Sequence, residues 1–286
     1  MSEITTVRAN GLEFGCLSAG PSDGPLALLL HGFPDTPHSW RHLSAALAGT
    51  GHRVVAPYMR GYAPTSLAPD GAYQTGALAA DANALHEALG GDGSAVLIGH
   101  DWGAAAVYGA LSAAPERWRR AVTMALPPVS ALFGGFFSYE QLKRSFYIFL
   151  FQTPLAETAL DDGFIAGLWR DWSPGHREDL SPVLAALGAP ENKAAAIAYY
   201  RAMLDPSLHL PRYAAEQEAA GAVGSVPLLY LHGADDGCLG ADVVGLDGEL
   251  LNHLPPGSKT ELIADAGHFL QVEQPERVNE AVLNWL

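Results

Sequence analysis

The segment Gly99-His100-Asp101-Trp102-Gly103 carries the most concentrated chemistry in this chain. It sits between an apolar run, Ser94–Ile98, and an alanine-rich stretch that begins at once with Ala104-Ala105-Ala106. A polar residue between two glycines at a strand-to-helix turn is the pattern of a nucleophile elbow, with aspartate where serine is usual. The glycines are needed because the turn is tight and its neighbours crowd the strand. Such a turn holds the Asp101 carboxylate up and aims the Trp102 N–H from a helix start, where negative charge is favoured. A second loop, His31-Gly32-Phe33-Pro34, follows the apolar run Pro25–Leu30. One oxyanion donor in this kind of site comes from the residue after the nucleophile and one from an earlier loop. We therefore assign the backbone N–H groups of Phe33 and Trp102 to an oxyanion hole, and read His31 as structural. Phe33-Pro34 is a candidate cis peptide, since X-Pro is the bond where that isomer costs little.

A base and its orienting acid are expected downstream, in that site's chain order. His268 stands in Asp265-Ala266-Gly267-His268-Phe269 and is the histidine after the last strand-like run. Asp235 and Asp236 both follow the run Val226–Gly233, whereas no carboxylate follows Arg120–Leu126 until Glu140. We assign Asp236 as the acid, which leaves Asp235 as a turn or solvent residue.

A carboxylate, with an unperturbed pKa near 4, needs no base to become a nucleophile. Attack on an ester would give an anhydride, so it is a poor tool for acyl transfer. Displacement at a saturated carbon gives an ester intermediate instead. His268, with its tautomer held by Asp236, would then activate water to hydrolyse that ester, and the oxyanion hole would stabilise the tetrahedral charge. Asp101 thus argues against esterase, lipase and protease chemistry and leaves epoxide opening or carbon–halogen cleavage. A halide departs as a stable anion. An epoxide oxygen departs as a basic alkoxide and needs a proton donor, which a phenol with a pKa of roughly 10 can be.

The elements that must position these groups alternate. A hairpin is expected around Asn10-Gly11. Strands PLALLLHG, HRVVAPY, SAVLIGH and RAVTMAL alternate with helices, the first of which, SWRHLSAALAG, opens with Ser39 as N-cap. Residues 128–213 read as helical and aromatic-rich, with no buried strand. Strand character returns in VPLLYLHG and KTELIAD, and the helix QPERVNEAVLNWL closes the pattern. This predicts an α/β fold, with a mostly parallel sheet and right-handed crossovers. The core comprises 1–127 and 214–286; 128–213 forms a helical cap over the strands' carboxyl ends, where ligands of such sheets bind.

The 286 residues suit one large α/β domain carrying an insertion. Sixteen basic residues face 31 acidic ones, for a formal charge of −15, which repels phosphate backbones and anionic lipids. Nucleic acid and membrane are excluded as partners, and the charge is read as solubility. Cys16 and Cys238 make neither a disulfide framework nor a zinc site, and are expected to be small buried residues in a reducing compartment. The opening MSEITTVRANG has no basic stretch leading into an apolar one, and no apolar run approaches the roughly 20 residues of a membrane span. The expectation is a cytoplasmic monomer or homodimer using no cofactor and no metal.

The chain resembles the epoxide hydrolases of the α/β-hydrolase superfamily over nearly its whole length. The resemblance is carried by HGFPDTPHSWR, GHDWGA, SFYIFLFQTPLAE, AIAYYRAML, LHGADDGC and AGHFLQVEQPERVNEAVLNWL. GHDWG is shared with haloalkane dehalogenases, and the two lid motifs are not. The resemblance implies an α/β-hydrolase fold and hydrolysis of a small apolar epoxide to a vicinal diol. It also implies two lid tyrosines that hold and protonate the epoxide oxygen. These are Tyr147, four residues before Phe151-Gln152, and Tyr200, the second tyrosine of Tyr199-Tyr200-Arg201. Phe33, Trp102, Phe151 and Phe269 are the expected substrate-binding residues. Tyr147 could instead be packing among Phe146, Phe149 and Phe151, and Tyr199 could be the functional tyrosine. A haloalkane or haloacid dehalogenase is the competing activity. Phe33 stands where such enzymes often have Asn, while Trp169 and Trp172 keep a second halide donor open. Fluoroacetate-type dehalogenases prefer Arg where Trp102 stands. A non-catalytic receptor on this fold would be expected to show a broken triad, whereas Asp101, Asp236 and His268 are all present. Fold alone licenses none of this; the site residues do.

Overall fold

The computed structural model describes residues 4–132, 135–222, 224–246 and 248–286. Its centre is an eight-stranded sheet in the order β1-β2-β4-β3-β5-β6-β7-β8. The strands are β1 (Thr5–Ala9), β2 (Leu12–Ala19), β3 (Leu26–Leu30), β4 (Arg53–Pro57), β5 (Val96–His100), β6 (Arg120–Met124), β7 (Leu228–Gly233) and β8 (Lys259–Ile263). β1 and β2 form the hairpin, with Ala9 opposite Leu12 and both Asn10 and Gly11 at positive φ, as a two-residue turn of this type requires. β2 pairs antiparallel with β4, and every later pairing is parallel.

β3 and β5 are buried at every residue, which is why they read as unbroken apolar runs with no alternation. Successive side chains still go to opposite faces. Leu28, Leu30 and Leu97 join one core cluster, and Ala27, Leu29, Val96 and Ile98 the other. Helices α2 (Thr75–Ala88) and α3 (Trp102–Ala113) pack together on one side of the sheet. Helix α1 (Arg41–Gly49) and the helix Pro275–Trp285 pack together on the other.

Ser39 does not cap α1. A 3₁₀ turn, Pro37–Trp40, precedes the helix, and α1 begins at Arg41. The Ser39 hydroxyl turns inward and donates to Asp35 Oδ2 at 2.6 Å. Bonding to the buried Asp35 turns the hydroxyl away from the helix-start N–H groups that a capping serine oxygen would accept from.

Between β6 and β7 the described residues form helices and turns without a strand. Bonds to the core fix this region over the sheet. The Trp169 indole N–H donates to the Pro34 carbonyl (2.7 Å), and Gln141 bonds both the Cys238 carbonyl (2.8 Å) and the Gly240 N–H (3.0 Å). Helix Ala214–Ala219 returns to pack on α2 and α3. No helix among the described residues is long and apolar enough to cross a membrane.

Candidate active site

The strand order reverses direction at β3. β4 lies on one side of it and β5 on the other. Their carboxyl ends open a crevice at this switch point, and there the loop after β3 meets the turn after β5. Asp101 occupies that turn at φ 52°, a conformation that costs a non-glycine residue of order 1–3 kcal/mol and tends to mark functional positions. The Phe33 N–H donates to Asp101 Oδ1 at 2.8 Å, and Phe33-Pro34 is cis. Close approach explains two glycines. A Cβ on Gly32 would collide with the Asp101 carboxylate, and one on Gly103 with the Leu30 carbonyl oxygen.

The other carboxylate oxygen, Asp101 Oδ2, faces His268 Nε2 at 3.8 Å. His268 Nδ1 lies 3.0 Å from Asp236 Oδ2. An ionised carboxylate only accepts, so Nδ1 carries a proton and donates it to Asp236, which leaves Nε2 as the nitrogen that can take up another. Nε2 has no hydrogen-bond partner. Asp236 is itself oriented, with Oδ1 accepting the N–H groups of Cys238 (2.7 Å) and Leu239 (2.9 Å). Asp235, its neighbour, is exposed.

Two groups that the motif reading passed over hold His268 in place. The Trp172 carbonyl accepts the His268 N–H (2.9 Å) and the Gly237 N–H (3.1 Å), tying the loops that carry His268 and Asp236 to one helix end. His100 Nε2–H donates to the His268 carbonyl at 2.8 Å. The only sequence hint of this was the position of His100 inside GHDWG. His31 is structural as expected: Nε2 accepts the Met59 N–H at 2.9 Å, and burial pushes its pKa down to about 3.

Burial raises the pKa of Asp101, while His268 and the N–H groups of Phe33 and Trp102 pull it back. Burial is the largest single influence on His268 and would lower its pKa, but the charge and hydrogen bond of the adjoining Asp236 oppose it. Asp101 and Asp35 add to this, and the net direction is upward.

Tyr147 lies on the helix Phe146–Leu150 and Tyr200 on Pro190–Leu204. Gln152 donates to the Tyr200 carbonyl and Arg201 to the Phe151 carbonyl, both at 3.0 Å, fastening the two helices. The tyrosine rings meet edge-on at 5.4 Å between centroids. Phe33 stacks on Tyr147 and meets Tyr200 and Phe151 edge-on, and Trp102 meets Tyr200 edge-on. The buried Tyr200 hydroxyl makes no hydrogen bond of normal geometry, and that of Tyr147 lies 3.4 Å from Cys238 Sγ. Burial raises both phenols well above 10, so they stay protonated. Tyr199 is otherwise engaged, its hydroxyl donating to the Arg60 carbonyl at 2.8 Å.

Phe33, Trp102 and Phe151 thus surround the two tyrosines. Phe269 does not join them. It stacks on Trp169 at 3.5 Å and meets His268 edge-on, with its N–H on Ser173 Oγ. Trp169, considered as a second halide donor, has its N–H committed to Pro34.

The α/β hydrolase fold family matches residues 25–275. The AB hydrolase superfamily protein YfhM of Bacillus subtilis is 31% identical, across 98% of this chain and 96% of that protein. Epoxide hydrolase A of Mycobacterium tuberculosis is 30% identical over the same shares. Among crystal structures, epoxide hydrolase A from Mycobacterium thermoresistibile superposes with a TM-score of 0.79 at 27% identity, covering 99% of this chain and 98% of that one. A Klebsiella pneumoniae protein reaches 0.84 at 28% identity, covering 99% and 96%. Full-length similarity at this level, on a sheet whose switch point presents an aspartate at the elbow, places the chain in the α/β-hydrolase-fold family, among the epoxide hydrolases.

Proposed function

We propose that this protein hydrolyses a small apolar epoxide to a vicinal diol through a covalent ester on Asp101. The reading is carried by the division of labour between the two Asp101 oxygens. Oδ1 is held by the Phe33 N–H, while Oδ2 is turned toward His268. Oδ2 attacks an oxirane carbon, the carbon–oxygen bond breaks, and the departing alkoxide takes a proton from Tyr147 or Tyr200. Water then attacks the ester carbonyl carbon and gives its proton to His268 Nε2. The negative charge that develops on Oδ1 is met by the Phe33 N–H, which already bonds that oxygen, and by the N–H of Trp102. Collapse expels the second diol oxygen, which takes the proton back from His268, and the other water proton passes to the phenolate, so that the Asp101 carboxylate and the tyrosine are both restored. One oxygen of that carboxylate now comes from water. The two phenols favour this reading over halide displacement, since a halide leaves without a proton.

The test is single-turnover hydrolysis of styrene oxide in heavy-oxygen water. Label is expected in Asp101, with unlabelled diol. Label in the diol alone means direct attack by water and defeats the covalent route. Bromide release from 1-bromobutane with no diol from any epoxide defeats the assigned activity.

A further inference from the structure

Cys238 joins the acid–base pair in a donor cluster that the reaction does not use as a set. We infer that Asp236, Cys238 and His268 form a binding site for a thiophilic divalent cation of the zinc type, and that its occupancy switches the enzyme off.

All three residues are buried, and one ligand atom from each lies within 4.8 Å of the others. Carboxylate, thiolate and imidazole are the donor types zinc prefers. With the usual bond lengths, donors around a tetrahedral zinc sit roughly 3.4–3.6 Å apart for N/O and S/O pairs. His268 Nδ1 and Asp236 Oδ2 are 3.0 Å apart, so small side-chain shifts open that edge. The Tyr147 hydroxyl, 3.4 Å from Cys238 Sγ, already lies at such an edge and can fill the fourth position.

Charge favours the same ligand. A dication bound by one carboxylate, one thiolate and one neutral imidazole is electrically neutral as a unit, and a buried site tolerates that far better than a net charge. Coordination forms one bond from each donor: the thiol proton leaves to solvent, and the Nδ1 proton moves to the free Nε2, so that Nδ1 binds the ion while the imidazole stays neutral. No redox partner is required. Occupancy disables the base because His268 and Asp236 can no longer bond each other. The cysteine side chain supplies the affinity, whereas its backbone N–H, which orients Asp236, is untouched by substitution.

Binding does not depend on the reaction proposed above; only the inhibition arm does. Zinc chloride titrated into the protein by calorimetry should bind one ion per chain. Cobalt(II) in its place should give a near-ultraviolet thiolate-to-metal band. Cys238→Ala and Cys238→Ser should each abolish the band and weaken zinc by about 100-fold, while Cys16→Ala keeps both. Zinc should stop epoxide turnover in the parent, EDTA should restore it, and Cys238→Ala should resist the same zinc concentration. Absence of a stoichiometric site, a missing band, or equal zinc affinity in both Cys238 variants overturns the inference. A site and band present in a protein that turns over no epoxide would sink the proposed activity and leave the cation site standing.

Discussion

Replacing Asp236 by Asn should stall the reaction half-way, and the geometry says by how much. Oδ1 accepts two backbone N–H groups, at 2.7 and 2.9 Å. An amide NH₂ there would set donors against donors, so the oxygen of the substituted side chain must stay in that place. Its NH₂ then occupies the Oδ2 position, 3.0 Å from His268 Nδ1. Nδ1 can no longer donate. The ring takes its other tautomer, and Nε2 carries a hydrogen toward the site where water must lose one. General-base catalysis is worth about 10²–10⁴-fold, and a triad histidine in the wrong tautomer costs about 10⁴. We expect ester hydrolysis to slow by about 10³–10⁴-fold, equivalent to about 4–5.5 kcal/mol of barrier. Alkylation, which transfers no proton to His268, should change less than about tenfold. Rapid mixing with styrene oxide, acid quench and intact-protein mass spectrometry would then show an adduct heavier by one epoxide. Asp235→Asn, at an exposed position, should turn over normally. A folded Asp236→Asn protein that hydrolyses at the parental rate, or never carries an adduct, would refute the reasoning.

Other perturbations read different parts of the site. Tyr147→Phe and Tyr200→Phe should each lower alkylation by about 10–10²-fold and together should stop ring opening; a double variant at the parental rate makes both tyrosines packing residues and moves the dehalogenase reading ahead. Burial lifts the Asp101 pKa above its ordinary 3.8, and attack needs the ionised form, so kcat/KM should fall as pH drops through a value higher than 3.8. An acid limb below that value contradicts the assignment. Asp81→Ala should cost about 3–5 kcal/mol, because it strands the fully buried Arg60, which both Asp81 oxygens contact at 2.6 Å. Thermal denaturation should show Tm lower by something on the order of 10 °C, and an unchanged Tm would remove this pair as a determinant of stability.

Local chemistry made some features readable from the sequence. Asn10-Gly11 announces its turn because few other residues accept positive φ at both positions. The apolar runs of β3 and β5 announce central strands because both faces are covered. The meeting of Phe33 with Asp101 follows from strand order, which motif chain order implied. What was illegible depends on side chains that choose between competing partners. Ser39 has the residue type of a cap, but a buried carboxylate four residues earlier takes its hydroxyl. Phe269 adjoins His268 in sequence, yet Trp169 arrives from the cap and claims its face. The carbonyl of Trp172 has no sequence signature, because every residue carries one; only the fold reveals that it fastens both Gly237 and His268.

The negative charge of Asp101 is one of the causes that strengthen the hold of His268 on a proton. In the proposed reaction that charge disappears when the ester forms, and this is the moment at which a proton acceptor is first needed. His268 then gives up its proton more readily than in the resting enzyme, and regains its affinity when the carboxylate returns. One residue's charge therefore keeps time for two steps. The covalent intermediate thus sets its own base free. The pH at which turnover fails in acid accordingly lies below the pKa that His268 shows before substrate arrives.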